Sequence, residues 1–131
     1  SIQSLYLVDD DDIYVFLTKK IIEETHLTKH IEVFSNGQEA LDFLIETNDE
    51  STLPDVIFLD LFMPVMDGWE FLEEFALLKP KFKKQITIYV CSSSISPHDM
   101  MRAKSISLVS DYIIKPVTRE MFVAIINNLA A

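Results

Sequence analysis

The stretch VIFLDLFMPVMDG, residues 56–68, joins a short apolar run to a single acid and then to a turn. The four apolar residues 56–59 are followed at once by Asp60, and Pro64 and Gly68 then interrupt regular structure. A short apolar run bounded by turn residues is typical of a strand that is buried on both faces of a sheet. An unneutralised carboxylate at the end of such a strand is costly, so Asp60 is a candidate for binding a cation or a charged ligand.

Four similar apolar runs lie along the rest of the chain, at residues 5–8, 31–34, 86–90 and 112–114. They are separated by longer stretches in which apolar residues recur three or four positions apart, a spacing typical of amphipathic helices. Strict alternation of strands and helices favours a parallel sheet with right-handed crossovers. We therefore predict one doubly wound α/β domain over residues 1–131, a length that fits a single domain.

Each helical stretch carries apolar residues that we expect to face the sheet. The fourth stretch is the weakest, and we expect its helix to follow Ser96 as N-cap, with Pro97 at the first helical position. The amphipathic stripes of the other four are Ile13, Phe16, Leu17, Lys20 and Ile21; Ala40, Leu41, Leu44 and Ile45; Phe71, Leu72, Phe75 and Leu78; and Phe122, Ile125, Ile126 and Leu129.

The composition argues against several classes of function. A formal charge of -10 repels nucleic-acid phosphates and anionic membrane surfaces, so direct nucleic-acid binding is disfavoured. Cys91 is the single cysteine, which excludes an internal disulfide and favours a reducing, cytoplasmic setting. No apolar run approaches the roughly 18–20 residues that span a bilayer, so we predict no membrane anchor. Two glycines are too few for a glycine-rich phosphate loop.

Acidic residues follow two of the predicted strands directly. Asp9 to Asp12 come after the first run, and Asp60 comes after the third. Ligands of an open α/β sheet bind beyond the carboxyl ends of its strands, so these carboxylates would share one site if the two strands are neighbours. A hard cation would relieve their repulsion, and Mg²⁺ suits such a site because it takes one or two carboxylates, waters and phosphate oxygens. The alternative for residues 9–12 is a solvated acidic turn, with Asp12 as the N-cap of the helix.

Two further polar side chains are expected at the same edge of the sheet. Ser92 follows the fourth strand and Lys115-Pro116 follows the fifth. A hydroxyl and an ammonium can both donate to phosphoryl oxygens, so the two residues could bind a phosphoryl group without a glycine loop. Taken alone, Ser92 is better explained as a turn residue, and the alternative for Lys115 is a solvent-exposed lysine.

Four motifs thus stand at the predicted strand ends: Leu7-Val8-Asp9-Asp10, the segment from Asp60 to Gly68, Ser92, and Lys115-Pro116. In this combination the chain resembles the receiver domain of two-component response regulators, over essentially its whole length. The resemblance implies a flavodoxin-like fold with five parallel strands in the order 2-1-3-4-5 and five helices. It also implies a cis peptide bond between Lys115 and Pro116.

The resemblance assigns a role to each candidate residue. Asp60 would accept a phosphoryl group from a histidine of a partner kinase, and Lys115 would pair with the phosphoryl oxygens. Ser92 would be the switch hydroxyl, with Ser93 as a competitor for the role, and Tyr112 the aromatic that changes rotamer with it. The readout surface would be the fourth helix, fifth strand and fifth helix. The implied Mg²⁺ ligands are Asp10 and Asp60 directly, the main-chain carbonyl of Phe62, and Asp9 through a bound water.

The implied partners are a sensor histidine kinase or a histidine phosphotransfer protein, and an unidentified downstream protein. The readout surface would also allow a dimer. The chain would be a signalling domain that catalyses only its own phosphoryl transfer and dephosphorylation. Two alternatives stay open: a pseudo-receiver that binds partners without phosphorylation, and a phosphatase with an aspartyl nucleophile. Such phosphatases typically carry a second acid two residues after the nucleophile, where this chain has Phe62. The chain could be free-standing, a relay component or part of a longer protein.

Overall fold

The computed structural model describes residues 1–47 and 49–130, in which five parallel strands alternate with five α-helices. The strands are β1 (Ile2–Val8), β2 (Thr28–Phe34), β3 (Val56–Leu59), β4 (Thr87–Ser92) and β5 (Val109–Ile114). The helices are α1 (Asp12–Thr25), α2 (Gly37–Glu46), α3 (Gly68–Leu78), α4 (Pro97–Lys104) and α5 (Arg119–Ala130). Short 3-10 turns at Glu50–Thr52 and Lys79–Lys81 precede β3 and follow α3.

The strand order is β2-β1-β3-β4-β5, and every neighbouring pair is parallel. This confirms the predicted doubly wound, flavodoxin-like α/β fold. In the sheet Val8 lies beside Leu59, and Leu59 lies beside Val90. The strand order reverses between β1 and β3, and ligand crevices of open α/β sheets form at such a point. The residues that follow Val8 and Leu59 therefore stand at the mouth of that crevice.

Alternate residues of the central strands pack on opposite faces of the sheet. Tyr6 and Val8 of β1 belong to a buried cluster with residues of α2, α3 and α4. Leu5 and Leu7 belong to a second cluster, which contains residues of α1 and α5. Both faces are covered by helices, which explains why the central strands read as continuous apolar runs. The stripes predicted for α3 and α5 lie in these two clusters or pack against them.

The apolar stripe predicted for α1 is wrong. Ile13, Phe16 and Leu17 are 74%, 59% and 54% exposed, while the buried residues of the helix are Thr18 and Ile22. The two sets have the same helical spacing, so periodicity identified a helix but not the face that packs on the sheet. Because Thr18 is polar, the spacing of apolar residues did not identify the buried face of α1.

Smaller differences concern the ends of the helices. In α2 the predicted residue Ile45 is exposed, whereas the other three of its stripe are buried. The N-cap of α1 is Asp11 and not Asp12: the Asp11 side chain accepts hydrogen bonds from the backbone N–H groups of Ile13 and Tyr14. The predicted cap of α4 is confirmed, with Ser96 before the first helical residue. Within residues 1–47 and 49–130, none of the helices has the length and hydropathy to cross a membrane.

Candidate functional site

Three carboxylates meet at the carboxyl edge of the sheet, where β1 and β3 end. Asp9, Asp10 and Asp60 each offer one oxygen, and these oxygens lie within 4.8 Å of one another. The N–H of Asp60 donates to the carbonyl of Val8, and the N–H of Asp9 donates to the carbonyl of Phe34, each at 2.9 Å. The hydrogen-bond ladder thus continues through both acids and holds them side by side. Asp9 and Asp60 are buried, whereas Asp10 is exposed.

Lys115 brings a positive charge to these acids from the end of β5. Its backbone N–H donates to the carbonyl of Ser92 at 2.9 Å, and its peptide bond to Pro116 is cis, as the resemblance implied. The Nζ atom lies 2.6 Å from Oδ2 of Asp9 and 3.5 Å from Oδ1 of Asp60. The Lys115 side chain is only 14% exposed, so the alternative of a solvated lysine is wrong.

The charges at the site change the protonation of Asp60 and Lys115. Burial and the neighbouring charge of Asp9 raise the pKa of Asp60 from 3.8 to about 6, although Lys115 and the N–H of Leu61 oppose the rise. Burial acts to lower the pKa of Lys115, but its hydrogen bond with Asp9 and the charges of Asp60 and Asp9 outweigh burial and raise it. Lys115 is therefore charged at neutral pH. One ammonium does not balance three carboxylates.

This excess of negative charge fits a hard divalent cation. Carboxylate oxygens are ligands that Mg²⁺ prefers, and a cation would counteract the burial and the charge of Asp9 that raise the pKa of Asp60. Asp9, Asp10 and Asp60 are the residues that could hold the ion. A cation bound there would supply positive charge next to the oxygens of an incoming phosphoryl group.

The loop between β3 and α3 packs tightly against the end of β3. The N–H of Gly68 donates to the carbonyl of Leu61 at 2.9 Å. A Cβ atom on Gly68 would collide with the carbonyl oxygen of Asp60 and lie 2.9 Å from the Cα of Leu61. Asp67 and Glu70 form a reciprocal capping box at the start of α3. The conformation of this loop therefore depends on the absence of a side chain at position 68, directly behind the Asp60 main chain.

A chain of hydrogen bonds connects Ser92 to β5 and α4. Ser92 is fully buried, and its Oγ accepts from the N–H of Ser94 at 3.1 Å. The carbonyl of Ser94 accepts a hydrogen bond from the Tyr112 hydroxyl at 2.8 Å. The Oγ of Ser94 donates to Asp99 Oδ2 at 2.7 Å. Ser94 is thus bonded at once to the candidate switch hydroxyl, to the candidate aromatic and to the first turn of α4.

Phe62 and Ser93 are the remaining candidates, and both have exposed side chains. The side chain of Phe62 is 54% exposed, and the role implied for its main-chain carbonyl stays a prediction. Ser93 is exposed, in contrast to the buried Ser92. The roles of Ser92 and Tyr112 as switch residues also stay predictions.

Tyr14 is a neighbour of the site that the sequence analysis missed. The Nζ of Lys115 lies 4.3 Å from the centroid of the Tyr14 ring. Burial above all raises the pKa of the Tyr14 hydroxyl well above its usual value. Its position in the sequence could have predicted this role, because Tyr14 lies in the first turn of a helix that begins directly after Asp9 and Asp10. An aromatic ring at that position lies at the edge of the crevice.

Comparisons with known proteins agree with this geometry. The sequence profile of the family described as the response regulator receiver domain matches residues 5–127. The chain is 32% identical over 117 residues to the probable methanogenesis regulatory protein FilR2 of Methanothrix harundinacea, covering 88% of this chain and 74% of that protein. It is 30% identical over 118 residues to the hybrid signal transduction histidine kinase I of Dictyostelium discoideum, covering 86% of this chain but only 6% of that protein.

Among solved structures, a two-component response regulator from Cytophaga hutchinsonii superposes with a TM-score of 0.85 at 32% sequence identity. The alignment covers 99% of this chain and 98% of that chain. The profile match spans most of the sequence, and the solved structure shares the whole fold. This chain belongs to the response regulator receiver domain family.

Proposed function

We propose that this receiver domain is a phosphorylation switch in which Asp60 accepts a phosphoryl group from a phosphohistidine. The donor is a sensor histidine kinase or a histidine phosphotransfer protein. The observation that carries the proposal is the gathering of Asp9, Asp10 and Asp60 within 4.8 Å, beside the ammonium of Lys115. Family membership supports it, as does the similarity to a protein whose name identifies it as a histidine kinase.

The transfer requires an attacking oxygen, a leaving group and compensation of charge. A carboxylate oxygen of Asp60 forms a new P–O bond while the P–N bond to the donor histidine breaks. The electron pair of that bond stays on the imidazole nitrogen, which takes up a proton. The Lys115 ammonium, 3.5 Å from Asp60 Oδ1, pairs with a phosphoryl oxygen. Asp9, Asp10 and Asp60, with the main-chain carbonyl of Phe62, would hold Mg²⁺, whose charge offsets that of the phosphoryl oxygens.

Ser92 and Tyr112 relay the modification to the surface. A phosphoryl group adds about -1.5 to -2 charges and three acceptor oxygens, which draw the Ser92 hydroxyl toward Asp60. Because Ser94 is bonded to both Ser92 and Tyr112, movement of Ser92 alters the contacts of α4 and β5. The exposed apolar side chains near this surface are Ile95, Met101 and Ile114. They suit contact between the α4-β5-α5 surface and a downstream protein or a second copy of the chain.

Residues 1–131 act as one receiver domain in the cytoplasm, without binding nucleic acid or membrane directly. Its chemistry is limited to its own phosphorylation and dephosphorylation. The buried free thiol of Cys91 and the charge of -10 support this setting.

Phosphorylation of the purified chain by a small phosphodonor tests the proposal. With acetyl phosphate and Mg²⁺, intact-mass spectrometry should show one added phosphoryl group, and borohydride reduction should locate it at position 60. Asp60→Asn should abolish the addition, whereas Asp42→Asn, at an exposed acid on α2, should not. If wild type takes up no phosphoryl group from acetyl phosphate or from a histidine kinase, the chain is a pseudo-receiver. Turnover of a phosphomonoester beyond one equivalent would instead favour the phosphatase.

Beryllofluoride, a stable mimic of the phosphoryl group, tests the switch. With Mg²⁺ it should shift the amide NMR signals of α4, β5 and the segment between β4 and α4. Tyr112→Phe removes the hydrogen bond to the Ser94 carbonyl, and should weaken the shifts in α4 while those around Asp60 remain. Shifts confined to the surroundings of Asp60 in wild type would contradict the proposed readout surface.

A further inference from the structure

We propose that Tyr14 is a positioning residue whose ring holds the Lys115 ammonium beside Asp60. The inference rests on the proposed phosphoryl transfer and adds a residue of α1 to the groups that prepare the site. The Nζ atom of Lys115 lies 4.3 Å from the centroid of the Tyr14 ring, within the range of a cation–π contact. The partly buried position of Lys115 strengthens such a contact, because little water competes for the ammonium.

The ammonium is held by two acids and one uncharged ring. Asp9 Oδ2 is its nearest partner at 2.6 Å, and Asp60 Oδ1 lies farther away at 3.5 Å. Asp9 is also one of the three acids able to hold a divalent cation. When Asp9 engages a cation, its attraction for Lys115 weakens. The Tyr14 ring is neutral and offers no carboxylate to the metal, so its contact with the ammonium persists.

Lysine gains most from such a contact because its side chain is long and flexible. Four rotatable bonds allow the ammonium to leave for solvent once its closest carboxylate is engaged elsewhere. A ring that remains against the ammonium restricts these rotamers and keeps the charge within reach of a phosphoryl oxygen on Asp60. Tyr14 thereby acts on the transfer through Lys115 and not by touching the reacting atoms.

The backbone fixes Tyr14 relative to the acids. Its N–H donates to Asp11 Oδ1 at 3.0 Å, and the N–H of Asp11 donates to Asp9 Oδ1 at 2.9 Å. Asp9, the N-cap of α1 and Tyr14 are therefore linked by consecutive hydrogen bonds. These bonds hold the backbone of Tyr14 in a fixed position relative to Asp9, at the edge of the site that Lys115 enters.

The rate of phosphorylation by acetyl phosphate at saturating Mg²⁺ measures the effect. Tyr14→Leu keeps an apolar side chain but removes the ring, and should lower the rate constant about tenfold, the size expected for a partly buried cation–π contact. Tyr14→Phe keeps the ring face and should stay within about twofold of wild type. Phe16→Leu is the matched control, because the Phe16 ring contacts Lys20 on the exposed side of the same helix.

Three further readouts separate positioning from a general structural effect. In a Lys115→Ala background, Tyr14→Leu should cause no additional loss of rate, because the partner of the ring is gone. In the metal-free protein, the ε-methylene protons of Lys115 should show an upfield ring-current shift that Tyr14→Phe retains and Tyr14→Leu loses. Mg²⁺ affinity, measured by titration calorimetry, should differ less than about threefold between Tyr14→Leu and wild type, since Tyr14 supplies no metal ligand.

Several results would overturn the inference. Equal rates for wild type and Tyr14→Leu would do so, as would an equal loss in Tyr14→Phe or an unchanged effect of Tyr14→Leu in the Lys115→Ala background. These outcomes would leave phosphorylation of Asp60 intact. A wild-type chain that takes up no phosphoryl group would instead overturn the proposed function, and the role of Tyr14 with it.

Discussion

Asp60→Asn should stabilise the metal-free protein at neutral pH. Burial and the charge of Asp9 raise the pKa of Asp60 from 3.8 to about 6. One pKa unit corresponds to about 1.4 kcal/mol, so ionised Asp60 costs the folded state at most about 3 kcal/mol. The neighbouring Asp10 is exposed, and solvent at the mouth of the site screens these charges, which reduces the expected gain to about 1–2 kcal/mol.

The pH dependence of this gain follows from the direction of the pKa change. A carboxyl with a raised pKa binds its proton more tightly in the folded state than in the unfolded state. Its contribution to wild-type stability is therefore fully present below pH 3.8 and is lost as the pH rises through about 6. Asparagine carries no titrating proton. The advantage of Asp60→Asn should thus be largest above about pH 6 and approach zero below about pH 4.

Urea unfolding in the presence of a chelator measures the difference in the free energy of unfolding. Asp42→Asn controls for the loss of one acid from this chain, because Asp42 is exposed and hydrogen bonded to Gln38 on the same helix. Added Mg²⁺ should stabilise wild type more than Asp60→Asn and so narrow the gap. If Asp60→Asn were no more stable than wild type near pH 7.5, or kept the same advantage at pH 4, ionised Asp60 would not be a source of instability.

Three substitutions test other features of the chain by the same unfolding assay. Val65 is an exposed β-branched residue with φ 69°, a left-handed conformation that costs roughly 1–2 kcal/mol. Glycine removes this cost but increases the entropy of the unfolded chain, so the net gain in stability of Val65→Gly should be about 0.5–1 kcal/mol. Val65→Ala should gain less. The free energy of unfolding of Gly68→Ala should be lower by about 1–3 kcal/mol, and its Mg²⁺ affinity should be weaker, because the new methyl group would collide with the main chain of Asp60. A variant as stable as wild type would refute this expected collision. The buried hydroxyl of Tyr6 has no hydrogen-bond partner among the described residues, so Tyr6→Phe should match wild type or exceed it by up to about 1 kcal/mol, and a clear loss of stability would contradict this.

The sequence predicted the carboxyl ends of β1, β2, β3 and β5 correctly, whereas it placed the starts of β1, β2 and β5 too late. β3 was predicted with its bounds correct, because all four of its residues are buried and apolar. For β1, β2 and β5 only the final residues were predicted, since polar residues stand just before the apolar runs, among them Ser4, His30 and Asp111. The acid cluster could be predicted because parallel strands bring their carboxyl ends to one edge, so a residue that follows a strand is placed by the strand.

Side chains of the helices were harder to place. On α1, two sides of the helix carry residues at helical spacing, and only the packing against the sheet decides that Thr18 and Ile22 face inward while Phe16 faces solvent. Tyr14 contacts Lys115 from a position 101 residues away in the sequence, and neither residue alone suggests the other. Contacts between side chains of different elements depend on rotamers and on helix rotation, which the spacing of apolar residues does not specify.

The charges at the site connect cation binding, phosphorylation and the position of Lys115. With all groups ionised, Asp9, Asp10, Asp60 and Lys115 carry a formal charge of about -2, which one divalent cation would cancel. Phosphorylation replaces the single charge of Asp60 by about -1.5 to -2, so cation binding and phosphorylation should each favour the other by the same factor. Lys115 is 2.6 Å from Asp9 but 3.5 Å from Asp60. A cation that engaged Asp9 would therefore weaken the attraction of Asp9 for the ammonium, and would favour pairing of Lys115 with the charge added at Asp60.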